Sequence, residues 1–206
     1  MPCRCVVVCL VFLPQAFASE DLSWIELRLQ RLLAITGYQQ AFCRQVDQAF
    51  LNLPKPSRKD EADASARVQA ALVRYADRSM ALRFVEVAGP PWGMTAQVYG
   101  SRIVVNAFWL REAREDDVHA ALAHEVAHDA NDCIRFWLIE ESALTKRQKE
   151  NARNEIEMKV DARAIDLLRR ENRGTGVLPD MLSRYLPPGP ASKARIEAAR
   201  NASRTQ

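Results

Sequence analysis

Hydrophobic positions along the chain follow helical spacing at first and alternate further on. From Asp21 to Ile35, Ile25, Leu29, Leu32 and Leu33 recur one helical turn apart and the run stops at Gly37, which predicts a capped amphipathic helix. A second helix is predicted from Tyr38 to Phe50. Asn52-Leu53-Pro54-Lys55-Pro56-Ser57 reads as a loop, and Asp60 to Ser79 returns to the helical period through Val68, Leu72 and Tyr75. From Leu82 the period changes: Leu82-Arg83-Phe84-Val85-Glu86-Val87 alternates like a half-buried strand before a Gly89-Pro90-Pro91 turn. Met94 to Tyr99 and Arg102 to Asn106 predict a hairpin closed by Gly100-Ser101. A helix follows from Asp116-Asp117, whose charge suits the N-terminal dipole, to about Asn131, and another covers roughly Gln148 to Arg170.

The first residues do not belong to this pattern. Arg4, the apolar run Cys5 to Leu13, Pro14 and the small-residue ending Ala16-Phe17-Ala18 predict a secretory signal over residues 1–18, with a mature chain starting near Ser19. The apolar stretch falls short of the roughly 20 residues a spanning helix needs, so no stable membrane insertion is expected after cleavage. Residues 19–206 then make one exported domain, periplasmic or secreted. Of the five cysteines, Cys3, Cys5 and Cys9 leave with the signal. Cys43 and Cys133 remain, and sequence leaves a disulfide and two buried thiols equally open. With 48% hydrophobic and 27% charged residues the chain is of ordinary globular make-up. Its 29 basic and 26 acidic residues form no Lys/Arg block, which argues against a nucleic-acid partner.

Chemistry concentrates in His124-Glu125-Val126-Ala127-His128. At 100° per residue, His124 and His128 project about 40° apart on one helix face, and both can reach a single ion. Glu125, one step round, can touch a water at that ion without being a ligand. Ala120, Ala121 and Ala127 on the histidine face are small enough to admit another helix, while Leu122 and Val126 point the opposite way, toward a core. His119, the third and last histidine, lies on the far side, so the remaining ligand has to be a carboxylate or a thiol. Cys133 would project about 180° from His124 on the same helix, which makes it a poor candidate. On the later helix, Glu157 and Asp161 sit about 40° apart inside an apolar stripe of Met158, Ala164, Ile165 and Leu168, where unpaired charge is costly. Glu157 as a zinc ligand, with Asp161 accepting a hydrogen bond from a ligand histidine, accounts for both acids. Buried salt bridges to nearby arginines are the alternative. Glu155 points away from this stripe.

With both helices in view, the chain resembles the gluzincin peptidases typified by the type I CAAX prenyl endopeptidase and the bacterial heat-shock membrane protease. The resemblance runs from about Leu82 to Arg200. It is carried by Ile103-Val104-Val105, by Asp116-Asp117 and Ala121-Leu122-Ala123 ahead of the HExxH motif, and by the ExxxD motif Glu157-Met158-Lys159-Val160-Asp161. It implies one Zn2+ held by His124, His128 and Glu157, Glu125 as catalytic base, and Asp161 as the partner of a ligand ring. Arg195-Ile196 matches a further family feature, whereas Leu186-Pro187 stands where relatives tend to carry His-Pro, and the membrane helices of many relatives are missing. The expectation is an α+β, predominantly helical zincin-like domain with a small antiparallel β-sheet ahead of the HExxH helix. Its expected activity is hydrolysis of extended or unfolded polypeptides, with the strand Met94 to Tyr99 offering an edge to the substrate and Tyr185, Arg195 or Tyr99 as donors to the oxyanion. A zincin-fold binding or chaperone-like protein without turnover is the alternative, and a hydrolase of non-peptide amides a third.

Overall fold

A computed structural model describes residues 23–75, 80–88, 96–99 and 102–204. The expected signal peptide, the Gly89-Pro90-Pro91 turn and the Gly100-Ser101 turn lie outside the described residues. Three helices come first: α1 (Ser23–Leu33), α2 (Tyr38–Leu51) and α3 (Arg58–Leu72). Three short strands follow, β1 (Ala81–Val85), β2 (Ala96–Tyr99) and β3 (Arg102–Asn106). The rest is helical: α4 (Ala107–Glu112), α5 (Glu115–Ala127), α6 (Asp132–Glu140), α7 (Lys146–Arg170), α8 (Val177–Tyr185) and α9 (Pro190–Arg204). The fold is α+β and mostly helical.

The sheet has the order β1-β3-β2. β2 and β3 pair antiparallel, with Tyr99 opposite Arg102, the register of a hairpin closed by two residues. β1, however, pairs parallel to β3, with Leu82 opposite Ile103, so the sheet is mixed rather than wholly antiparallel. The chain passes the place of β3, lays down β2 on the far side and turns back, which makes β1 and β3 run the same way. Alternation along a strand reports which residues share a face and carries no information about strand order. β3 is the central strand and is buried on both faces. Ile103 and Val105 join Phe84 and Trp109 in the main core, and Val104 meets Val85 in a smaller cluster roofed by Val46, Phe50 and Leu53. Cys43 and Cys133 both pack against that smaller cluster, and the structure holds them as thiols.

Caps explain several element boundaries. The Asn106 side chain accepts from the Phe108 N–H at 3.1 Å and donates to the Val87 carbonyl at 2.9 Å, so it ends β3 and starts α4 in one move. Thr145 and Gln148 form a reciprocal capping box that opens α7 two residues ahead of the expected start. The helix expected to run to about Asn131 stops at Ala127, and α6 begins only at Asp132. Short acidic side chains divert the backbone in between: Asp132 Oδ2 accepts from the Asp129 N–H at 2.9 Å, and Asp129 Oδ1 from the Asn131 N–H at 2.8 Å. Cys133 is therefore on a different helix from His124, and its placement on the same one is corrected.

Helix α5 lies at the centre. α3, α7, α8 and β2 all pack against it. It is consequently buried all round, with Ala120, Leu122 and Ala123 as inaccessible as one another, rather than presenting one core face as its pattern suggests. On the side facing α3, His119 is locked between Tyr75 and Arg173. A guanidinium only donates, so Arg173 Nη2, 2.7 Å away, gives its hydrogen to Nε2, and Nδ1–H faces the Tyr75 hydroxyl at 2.6 Å.

Burial, and next the Arg173 charge, hold the His119 pKa below its ordinary 6.5. The unfolded chain therefore binds the proton first as pH falls, and the stability tied to this lock is complete above about 6.5 and lost as pH drops through the folded-state value. Urea midpoints of the metal-free protein should fall over this acid range, and His119→Gln should flatten that slope while lowering the midpoint at neutral pH. Identical slopes for the two proteins would refute the lock.

Candidate metal centre

Four elements converge on one point. α5 brings His124 and Glu125 and ends on His128, whose ψ of 141° already leaves the helix. α6 brings Asp132, α7 brings Glu157 and Asp161, and α9 brings Arg195. His124 Nδ1 stands 2.9 Å from Asp161 Oδ1, and His128 Nδ1 stands 3.0 Å from Asp132 Oδ2. In a neutral imidazole each carboxylate holds the hydrogen on Nδ1, which leaves Nε2 as the donor atom turned toward the same space. The two Nε2 atoms are 3.2 Å apart, and His124 Nε2 is also 3.2 Å from Glu157 Oε2. All three donor atoms lie within 4.8 Å of one another.

Three observations bear on whether an ion fits. Ligand atoms about 2.0–2.2 Å from a tetrahedral ion stand roughly 3.3–3.5 Å apart, close to the 3.2 Å observed for two of the pairs. Glu157 Oε2 is buried and receives no aligned hydrogen bond, although Arg195 Nη2 lies 2.8 Å away, so it keeps a lone pair to offer. Charge also has to balance. Arg195 meets both Glu157 and Asp161, and Arg135 meets Asp132, Asp129 and Glu26, so the carboxylates around the centre outnumber these guanidiniums and favour a cation between them. Imidazole with carboxylate is a donor set that suits zinc among other first-row metals. The His124-His128-Glu157 group can thus bind a metal ion.

Without an ion the site holds charge in another way. Burial disfavours a protonated His124, but the carboxylates of Asp161 and then Glu157 outweigh it and raise the pKa to about 10. Burial works against Glu157 and Asp161 as anions too, and the neighbouring histidine and Arg195 nonetheless hold both carboxyls below their usual range. Arg195 takes Asp161 in a fork, Nε to Oδ2 at 2.6 Å and Nη2 to Oδ1 at 2.9 Å. The salt-bridge alternative is therefore realised for both acids, through Arg195, alongside the hydrogen bond of Asp161 to His124.

The structure brings together four of the residues expected from sequence, His124, His128, Glu157 and Asp161, and has Glu125 buried next to His124 on α5. Glu125 is 7% exposed, and its charge acts on Arg195. Glu155 pairs with Lys159 at 2.8 Å on the outer face, away from the centre. The expected oxyanion donors fare differently. Arg195 is occupied by the two carboxylates. Tyr185 donates to Asp117 at 3.1 Å, two helical turns ahead of His124, and the Tyr99 side chain lies outside the described residues. Asp132 went unrecognised in the sequence, although a carboxylate four residues past a ligand histidine is a detectable signal. Leu186 packs against the main core. No protein-family model matches the chain, and no curated protein matches it.

Removing Arg195 should expose how much the buried anions depend on it. Arg195→Ala leaves Asp161, 1% exposed, with no guanidinium, and the metal-free protein should lose roughly 3–5 kcal/mol in urea unfolding. A loss under about 1 kcal/mol would mean that the cluster is compensated by something else.

Proposed function

We propose that this chain is a zinc-dependent metalloendopeptidase with a zincin-like domain, related in mechanism to the gluzincins that its HExxH and ExxxD motifs resemble. The observation that carries the reading is the convergence of His124 Nε2, His128 Nε2 and Glu157 on one point beside the buried Glu125. One Zn2+ there would supply a Lewis acid that polarises a carbonyl and brings the pKa of a water to about 7.

The protein's own groups have distinct tasks in this reading. His124, His128 and Glu157 hold the ion. Asp161 and Asp132 keep the ligand rings in the tautomer that leaves Nε2 bare. Glu125 follows His124 directly on α5 and is 7% exposed, which sets its carboxylate beside the ligand histidine in low-dielectric surroundings. As general base it takes the proton of the attacking water and passes it to the leaving amine nitrogen. Low exposure around Glu125 strengthens its action on charge that develops during attack.

The sheet supports a reading of the substrate. Among the described residues β2 pairs only with β3, and it packs against α5 and α6. An extended peptide added along its free edge would run beside the helix that carries His124 and Glu125. Recognition through backbone groups favours unfolded or extended polypeptides over a particular side-chain sequence. Residues 1–18 supply an export signal in this reading, which puts the enzyme in the periplasm or outside the cell. No helix among the described residues is long and apolar enough to cross a membrane.

The test combines metal analysis with hydrolysis of an unfolded casein-type substrate. Wild type should carry one zinc and cleave, and chelation should stop cleavage. Glu125→Gln should keep the zinc and lose about 10²–10⁴ in rate, while Glu157→Ala should lose the zinc itself. Full zinc in Glu157→Ala overturns the ligand set. Tight zinc with no cleavage of any peptide moves the assignment to a binding protein, and turnover of small amides alone to another hydrolase class.

A further inference from the structure

The two imidazoles are anchored in opposite ways. Behind His124, Asp161 and Arg195 are both core residues, 1% and 9% exposed. Behind His128 the chain of contacts leads outward. Asp132 Oδ1 is held by Arg135 Nη1 at 2.7 Å, and Arg135 then reaches Glu26 on α1, Nε to Oε1 at 2.8 Å and Nη2 to Oε2 at 3.3 Å. It also contacts Asp129 Oδ1 at 3.1 Å. The Glu26 side chain is 53% exposed. α1 reaches this position because Ile25 and Leu29 bury themselves against Ile134 and Leu138 of α6, which sets Glu26 over Arg135.

His128 also depends more on its side-chain contacts than His124 does. Its backbone has left the helix, so no continuing turn fixes the direction of its side chain. Asp132 Oδ2 is shared between the His128 ring and the Asp129 N–H, and Arg135 on the other oxygen stops that carboxylate from turning. We propose that helix α1 sets the metal affinity of the centre by orienting His128 through Glu26, Arg135 and Asp132. His124 is the fixed ligand and His128 the adjustable one. Asp132, Arg135 and Glu26 are positioning residues, and the proposal rests on the reading of His128 as a ligand.

Cobalt(II) titration of the full chain tests it, because visible absorption reports both affinity and coordination geometry. Asp132→Ala should weaken cobalt binding about 10–100-fold. Asp132→Asn, which keeps an acceptor oxygen, should recover part of that loss. Glu26→Gln, which cuts a partly exposed pair, should cost up to about fivefold, the loss growing smaller at high salt. Arg135→Ala should weaken binding in the wild-type background and have no further effect on Asp132→Ala, since it acts through that residue. Unfolding midpoints of the metal-free variants are measured alongside. Lower midpoints with unchanged cobalt affinity, or equal effects of Arg135→Ala in both backgrounds, overturn the relay. His124→Ala and Glu157→Ala separate the two levels: if they too bind cobalt like wild type, it is the metal centre that fails.

Discussion

Everything near the centre answers to one requirement: carboxylates taken out of water must be met by positive charge. Three kinds of partner supply it. Arg195 and Arg135 neutralise one face of the cluster, the imidazoles donate hydrogen from Nδ1, and the three atoms His124 Nε2, His128 Nε2 and Glu157 Oε2 could hold a cation. The high pKa of His124 expresses the same demand, for the site takes up a proton where an ion would otherwise sit. Competition between proton and metal is built into such a centre.

The surrounding fold is organised to keep this cluster dry and fixed. α5 gains its place through alanines at 120, 121, 123 and 127, which allow α7 and its two acids to lie close alongside. α7 in turn is long because Thr145 and Gln148 cap it firmly and Asn172, with a φ of 55°, ends it by taking the left-handed conformation that asparagine tolerates. α9 returns across α7 and delivers Arg195. Residues distant in sequence are thus brought to one point by ordinary helix packing, and none of His124, His128 and Glu157 has a positive φ.

How much of this was readable from sequence depends on the range of the interaction. His124, Glu125 and His128 lie within one turn of helix, and Glu157 and Asp161 within another, so helical geometry alone groups them. That the two groups meet follows from buried acids in an apolar stripe, which need a partner. Asp132 escaped because a continuous helix was expected to Asn131, and the break depends on competition between side-chain and backbone hydrogen bonds that periodicity does not register. Helices α4, α6, α8 and α9 were passed over for a related reason. α4 and α6 are short, and the caps that delimit α4 involve contacts such as Asn106 with Val87 that exist only once the sheet has formed. The parallel pairing of β1 with β3 is likewise a long-range fact, set by where β2 docks.

The brevity of β2 has its own consequence. In antiparallel pairing only alternate residues turn their N–H and C=O toward a given side, so the four described residues of β2 offer an incoming chain two residues and roughly four hydrogen bonds. So small a ladder guards against runaway sheet growth between molecules, a hazard of long open edges. A chain added there, as the proposed reading has it, would be held by few hydrogen bonds and would leave quickly.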